Sequence, residues 1–457
     1  MTDVCMQLAG LARKHGVPGL ELEEEWSRTQ EVTATEDGSL GCSSSELAQR
    51  YVRTAGDHVG YARSEDASEP LEDLAARAVA EAGAVDLSDP AGMLARPRVG
   101  EAGAGRNPEL EEADVAAMTA MARRCVGRLT DVAGEHSTIE CMVRHYACAR
   151  RVSNSEGLSR LAEHAHYMVR MTYIAFGKGE QHWVQCRSFA PSLDDVDVTE
   201  LVGRTKLAGE ASLDGGTVET GDYPVVISRD VMNQVLVGMW SVFGAEKVAT
   251  GQSFLAGKLG SRVASPALGL AETAEPAFGG PGCLGIDCEG VVHGASSIVE
   301  KGTFVRPVSN LEWAVKMGLP SSTANANRRD SLGRIVPNDV FTAPGNLYVV
   351  PGTEDLDGLV AKAGDGVYLT DISDIYHSFS FASGGVSTPC RGVRIRNGKL
   401  AEPISAVAWS DSLQSLFANV VACGNAVAWF DMEDLGALWC GSPDVLVSSM
   451  HLAAAEL

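Results

Sequence analysis

The chain has 457 residues, 45% hydrophobic and 21% charged, enough for two or three domains with real cores. Its formal net charge of −23 argues against nucleic acid and anionic membrane surfaces as partners, because both are recognised through clustered Lys and Arg. No apolar run approaches the roughly twenty residues needed to span a bilayer, and the first residues lack the pattern of a signal peptide. The eleven cysteines, an odd number scattered over a long chain, fit a reduced cytoplasmic protein better than a disulfide framework.

In chain order, the first half reads as α+β. "EEWSRTQEVTATEDG", "SSELAQRYVRTAG" and "HVGYARSED" are expected as short strands separated by turns. "SEPLEDLAARAVAEAG" follows as an amphipathic helix with Leu71, Leu74, Ala75 and Ala78 on one face and Gly83 at its end. Residues 87–108 read as loop. A longer helix is expected from Pro108 to about Leu129, burying Val115, Met118, Met121, Ala122 and Cys125. "STIECMVRHYACA", "RLAEHAHYMVRMTYIAFGKG" and "EQHWVQCRSFA" alternate as an antiparallel meander, with a turn at Asn154–Gly157. This makes residues 1–190 an N-terminal α+β domain. The acidic, glycine-rich stretch 191–222 reads as a linker, and 223–457 as a β-rich C-terminal domain.

That second domain opens on a β-branched run, Val225–Ile227, leading into a long apolar helix. The helix is read as carrying no His, with Glu246 as its first acid. Strand-to-helix junctions of this kind often present catalytic groups. The loop 271–285, rich in Gly, Pro and Ala, is expected to be mobile. "GVRIRNGKLAEPI" is a hairpin whose Asn397-Gly398 suits a type I′ turn. "SDSLQSLFANVVACGN" reads as a capped helix with Leu413, Leu416, Phe417 and Val420 inward.

The chemistry-bearing residues form no strong motif. His164 and His166 share a strand face, and two imidazoles cannot complete a zinc shell; they read as partly exposed sheet residues. Cys283, Cys288 and His293 have a loose C-x4-C spacing and read as loop residues. Cys440 and His451 are the remaining Cys-His option for a nucleophile, with a buried thiol as the default reading. There is no Walker loop and no His-Glu pair.

Taken in order, "YPVVIS", "SFLAGKLG", "GIDCEGVVHGASSIVEKGTF", "WAVKMGLPSSTANANR", "GVRIRNGKLAEPISAVAW", "LFANVVACGN" and "CGSPDVLV" resemble the TldD/PmbA family of metallopeptidases. "NSEG" at 154–157 fits the family's first domain. The resemblance implies an α+β fold with a family-type C-terminal domain. It also implies one of two branches. TldD-like members carry H-E-x-x-x-H on the helix after the "PVV" strand, with two His and a distant Cys on zinc and the Glu as general base. PmbA-like (TldE-like) members keep the fold and lack the motif.

Counted along this helix, the His-Glu position falls on Val237 and Gly238, the second His position on Val242, and the family Cys on Cys440. The resemblance therefore implies a non-catalytic subunit with no catalytic, metal or cofactor residue of its own. A TldD-like partner would form the heterodimer and supply zinc and general base. The substrate would be an unfolded peptide or a peptide-like small molecule. The alternatives are a partner-independent binding or regulatory module, and a thiol hydrolase using Cys440. The roles of Cys283, Cys288 and Cys390 stay open.

Overall fold

The computed structural model describes residues 3–84, 93–98, 108–134, 136–177, 180–211, 215–274, 284–328, 340–374, 377–431 and 439–454. The α+β class holds. The first half contains α1 (Val4–His15), β1 (Gly19–Thr35), β2 (Leu40–Ala55), β3 (Tyr61–Ser64), α2 (Leu71–Ala84), α3 (Val115–Thr130), β4 (His136–Asn154), β5 (Ser159–Gly177) and β6 (Glu180–Ala190). The strands form one antiparallel six-stranded sheet in the order β3-β2-β1-β4-β5-β6.

β1 and β2 are 17 and 16 residues long, not short strands. Their distal parts carry Ser, Thr and Gln on both faces, which hides the apolar alternation; the unbroken register with each other, and of β1 with β4, carries the pairing. α2 buries Leu74, Ala75 and Ala78 as expected and continues to Ala84, so Gly83 lies inside its last turn. α3 begins at Val115 and not at Pro108. The Asp114 carboxylate caps it by accepting from the amides of Ala116 and Ala117, and Val115 is exposed. Residues 108–114 are instead tied to the sheet: Arg28 donates to the Leu110 carbonyl at 3.5 Å and the Ala113 amide to Gln30 at 3.0 Å.

The stretch 191–222, read as a linker, contains α4 (Val198–Ala211). It packs with α3 on the apolar face built by Val32, Ile139, Val143, Val169 and Tyr173. Its Gly209 permits that approach, because a Cβ there would sit 1.7 Å from a ring carbon of Tyr173.

The second half runs β7 (Gly221–Ile227), α5 (Arg229–Met239), α6 (Ala245–Ala249), β8 (Leu270–Glu272), β9 (Ser296–Glu300), β10 (Thr303–Phe304) and α7 (Leu311–Lys316). It continues through β11 (Ala326–Asn327), β12 (Phe341–Thr342), β13 (Asn346–Val349), α8 (Leu356–Ala363), β14 (Gly366–Ile372), β15 (Gly385–Arg396) and β16 (Lys399–Ser412). It closes with α9 (Leu413–Ala418), β17 (Val420–Cys423), β18 (Ala428–Asp431), β19 (Trp439–Ser442) and β20 (Val445–Ala454). Two six-stranded sheets result, β10-β9-β8-β13-β19-β18 and β16-β15-β14-β7-β20-β17. α5 touches both, through β18 and β19 on one side and β14 on the other, and the largest apolar cluster of the protein forms around it.

Three expectations change here. The long apolar helix stops at Met239, followed by a 3-10 turn over Trp240–Phe243 and then α6. The helix read over 410–425 is only α9, and Val420 points inward from β17 instead. Of the loop 271–285, the start belongs to β8, and residues 275–283 lie outside the described residues. So do most of 87–108. The 392–404 hairpin is as expected, with Asn397 at φ 50° and Gly398 at φ 72° between Arg396 and Lys399.

A seam of buried charge joins the first sheet to the second half. Arg53 lies 3.0 Å from Glu21 and 2.8 Å from Glu289. Glu23 is shared by Arg150 at 3.0 Å and Arg328 at 2.9 Å. Among the described residues, no helix is long and apolar enough to cross a membrane.

Candidate functional site

Strand β7 is central in its sheet, parallel to β14 and antiparallel to β20, which fixes where α5 begins. Ser228 caps the helix by accepting from the Val231 amide at 3.2 Å. Asp444, at the entry to β20, accepts from the Arg229 amide at 3.0 Å and from its guanidinium at 2.9 Å. The helix is thereby held at a fixed angle over the sheet. Val231, Val235, Leu236 and Met239 face the core. Asp230 and Gln234, one turn apart, face a cleft of about 300 Å³.

The cleft is walled by Trp183, Gln185 and Arg187 of β6, Thr370 and Asp371 of β14, and Phe430 of β18. Trp183 is 64% exposed at its rim. The Arg187 guanidinium lies 4.4 Å from the Phe430 ring centre. Each carboxylate in the cleft has a guanidinium of its own. Asp230 accepts from Arg204, and Asp371 accepts from Arg391 at 3.3 Å. Burial raises the Asp371 carboxyl to about 6, against the pull of Arg391. The Cys186 thiol, 3.9 Å from Asp230, is pushed up to about 12 by burial and by that carboxylate. A site balanced in this way offers side-chain and backbone contacts to a guest more readily than it activates water. Sequence reasoning missed these residues, Asp230 above all, which precedes Glu246 as the first acid of the helix. The legible signal is the i, i+4 polar pair Asp230–Gln234, beside Arg229 and Asn233 the only polar side chains of the helix.

Of the positions that the resemblance assigns to zinc chemistry, Val237 follows Asp230 and Gln234 along the same face of α5, and Val242 stands in the 3-10 turn after the helix. Val237 and Val242 are buried in the same apolar cluster as Cys440, while Gly238 is half-buried. Neither valine offers a donor atom. Cys440 is fully buried on β19, and burial alone drives its thiol far above the usual range. These residues do not fit a zinc ion: one neutral thiol cannot make a tetrahedral shell. Among the described residues, no group of three or more His, Cys, Asp and Glu side chains is arranged to hold a metal.

The other sequence candidates are dispersed. His164 and His166 do share a face, with ring nitrogens 3.3 Å apart. His166 is buried, not partly exposed; it packs against Phe189 and Trp439, and burial first, then His164, holds its pKa well below the usual range. Cys283 lies outside the described residues. Cys288 packs with Ala326 and Val340, its thiol raised by burial. His293 turns to the buried Glu272, 3.6 Å away; burial works against its charge, but Glu272 outweighs it and the pKa rises. His293 lines a smaller recess of about 60 Å³ with Glu25, Arg150, Asp287, Asn325 and Trp439. Cys390 donates to the Thr388 carbonyl at 3.4 Å, and burial pushes its thiol up to about 12. Cys440 and His451 are not brought together: they belong to different sheets, and His451 pairs with Asp222 at 2.9 Å.

Comparison with known proteins gives this geometry a context. Residues 220–454 match the PmbA/TldA metallopeptidase C-terminal domain. A metalloprotease of Methanothermobacter thermautotrophicus is 26% identical over 243 residues, 51% of this chain and 49% of that protein. A metalloprotease of Synechocystis sp. is 27% identical over 248 residues, 50% of each. The chain thus spans about half the length of the curated relatives it matches. Among solved structures, TldE from Thermococcus kodakarensis superposes with a TM-score of 0.82 at 16% identity, covering 98% of this chain and 100% of that one. A Thermotoga maritima protein solved as a candidate modulator of a DNA gyrase gives 0.79 at 19% identity, covering 98% and 99%. At these identities the structural likeness establishes the fold.

Proposed function

The chain belongs to the PmbA/TldD metallopeptidase family, and from that premise we propose that it is the non-catalytic, PmbA/TldE-like subunit of a heterodimeric zinc metallopeptidase. In this reading a TldD-like partner bearing H-E-x-x-x-H supplies the zinc and the general base. The pair, cytoplasmic, hydrolyses amide bonds in unfolded peptides or peptide-like small molecules. Residues 1–190 and 223–457 act as two domains joined through 191–222. The observation that carries the reading is the packing of Val237 and Val242 with Cys440 in one apolar cluster, where a catalytic member needs ligands.

This chain's own contribution is a wall. The cleft beside α5 is large enough for peptide side chains, and its carboxylates are already committed to Arg204 and Arg391. Such a surface binds and orients a guest, and it shields the partner's site from bulk water. A thiol mechanism at Cys440 is disfavoured by its complete burial, which keeps the sulfur protonated.

The test is peptide cleavage combined with size-exclusion chromatography. Each chain is assayed alone and then mixed with an H-E-x-x-x-H-bearing homologue. Cleavage is expected only in the mixture. Replacing the partner's motif Glu should abolish it while the complex persists. Robust cleavage by this chain alone, after metal stripping, would overturn the reading.

A further inference from the structure

The recess of about 60 Å³ lies between the first sheet and the second half, with room for about five groups the size of a water molecule. Glu25 and Arg150 line it from the sheet, and Asp287, His293, Asn325 and Trp439 from the second half. It opens past the half-buried Glu25, Leu284 and Gly345.

Two of its wall residues carry buried polar atoms without a partner among the described residues. Asn325 is 2% exposed, and its Nδ2 donates to Glu272 at 2.8 Å and to the Ala343 carbonyl at 3.2 Å. Those two acceptors set the orientation of the amide and leave its Oδ1 unpaired. His293 is 8% exposed, with Nε2 toward Glu272 at 3.6 Å and Nδ1 unpaired. Glu272 favours the protonated ring, in which both nitrogens are donors. The wall therefore lacks a donor for Asn325 and an acceptor for His293.

The charges around the recess select the guest, because each is already held. Arg150 lies 3.0 Å from Glu23 and 3.3 Å from Glu25. Asp287 accepts from the amides of Glu289, Val291 and Ala326. A carboxylate would enter beside Glu25 and Asp287 and bring Asn325 no hydrogen. An ammonium would enter beside Arg150 and His293 and bring His293 no acceptor. A carboxamide is neutral and carries one donor and one acceptor on two atoms of a plane, and Trp439 adds an aromatic surface that suits a planar group.

We propose that this recess is a subsite for a primary carboxamide, the side-chain tip of a glutamine or asparagine in a guest peptide. Its C=O accepts from His293 and its NH2 donates to Asn325. The recess is too small for a peptide backbone, so only a side-chain tip enters. The inference rests on the reading of this chain as a peptide-binding wall. It is tested on this chain alone, so it can fail while the partnership stands, and the reverse.

The experiment is small-ligand binding to the purified full chain, read by the ring nitrogen signals of protein labelled with 15N-histidine. The His293 signal is assigned by its loss in His293→Gln. The probes have the same heavy-atom count: acetamide, acetate, acetone, 2-propanol and propylammonium. Acetamide should shift the His293 signal saturably, with a dissociation constant on the order of millimolar for so small a molecule. It should bind about tenfold or more tightly than each other probe, since each lacks a donor, lacks an acceptor, or offers both at a single atom. Glutamine blocked as the N-acetyl methylamide should compete with acetamide, and its glutamate analogue should not. Asn325→Ala should weaken acetamide binding about tenfold. The wild-type series needs no variant and decides the proposal should that protein fail to fold. The proposal is overturned by an absent His293 response to acetamide, by equal binding of any other probe, or by acetamide binding that blocked glutamine does not displace.

Discussion

The guanidinium of Arg53 meets the carboxylate of Glu289, 236 residues away in the chain, at 2.8 Å, with both side chains buried. Its other arm reaches Glu21 at 3.0 Å and donates to the Met93 carbonyl at 2.9 Å. One cation from the first sheet thus serves an acid from each half. Arg53→Met should lower unfolding stability by about 3–5 kcal/mol, the cost of leaving buried carboxylates without their partner. Urea denaturation read by tryptophan fluorescence measures it. A loss of less than about 1 kcal/mol would show that water reaches the seam once Arg53 is gone.

Glu21 supplies a pH dependence. It is completely buried, and burial raises its carboxyl to about 7 despite Arg53, with Glu289 and Glu23 adding to the rise and Arg328 opposing it. The folded pKa lies above the unfolded one, so the native state binds the extra proton. Stability is then highest at and below the unfolded pKa and falls as pH rises toward the folded value, in the window from about 4.5 to about 7. Glu21→Gln should flatten that decline and leave the protein at least as stable as wild type at pH 8. Melting temperatures of both proteins across pH 5 to 8 check this; a steeper decline in the variant would mean that Glu21 is ionised in the fold.

Zinc content is a direct readout of the packing around α5. Chelator-free, tag-free protein should carry far less than one zinc per chain, because Val237 and Val242 give no donor and Cys440 is a single buried thiol. Elemental analysis decides it. About one tightly held zinc per chain would sink the non-catalytic reading.

Cys440→Ala tests the sulfur itself. The substitution removes a buried atom from the largest apolar cluster and should cost on the order of 1 kcal/mol. In an assembled pair, turnover should stay within about twofold of wild type. If turnover disappears while the complex remains intact on size exclusion, Cys440 has a chemical role.

Legibility in the sequence followed local physics. β4, β5 and β6 were readable because apolar and polar residues alternate along them, and the 392–404 hairpin because Asn-Gly tolerates two positive φ angles. α4 was not, because Gly203 and Gly209 dilute its apolar stripe, and Gly209 is there for Tyr173, which belongs to another element. The start of α3 is not legible, because the acidic stretch before Asp114 has helix-compatible residues that are tied instead to Arg28 and Gln30 of β1. Beyond the Asp230–Gln234 pair, the cleft is not legible in the sequence. Its walls come from residues 183–187, 230–234, 370–371 and 430, which meet only after three sheets are assembled. Asp230 stands in the helix's first turn, but nothing local to it in sequence foretells its pairing with Arg204, which comes from α4.

Val237 and Val242 share their cluster with Phe243, Leu347 and Cys440, and every one of these side chains is nearly or wholly inaccessible to solvent. A lone histidine at either valine would put an imidazole into oil without a metal to receive it, and would loosen the helix that also shapes the cleft. Two histidines and an acid would have to arrive together to be tolerated. Each intermediate on that route is a less stable protein with no compensating activity. The hydrocarbon packing around Val237 and Val242 therefore works as a ratchet: once such a core has closed, stepwise change cannot easily open it as a metal centre.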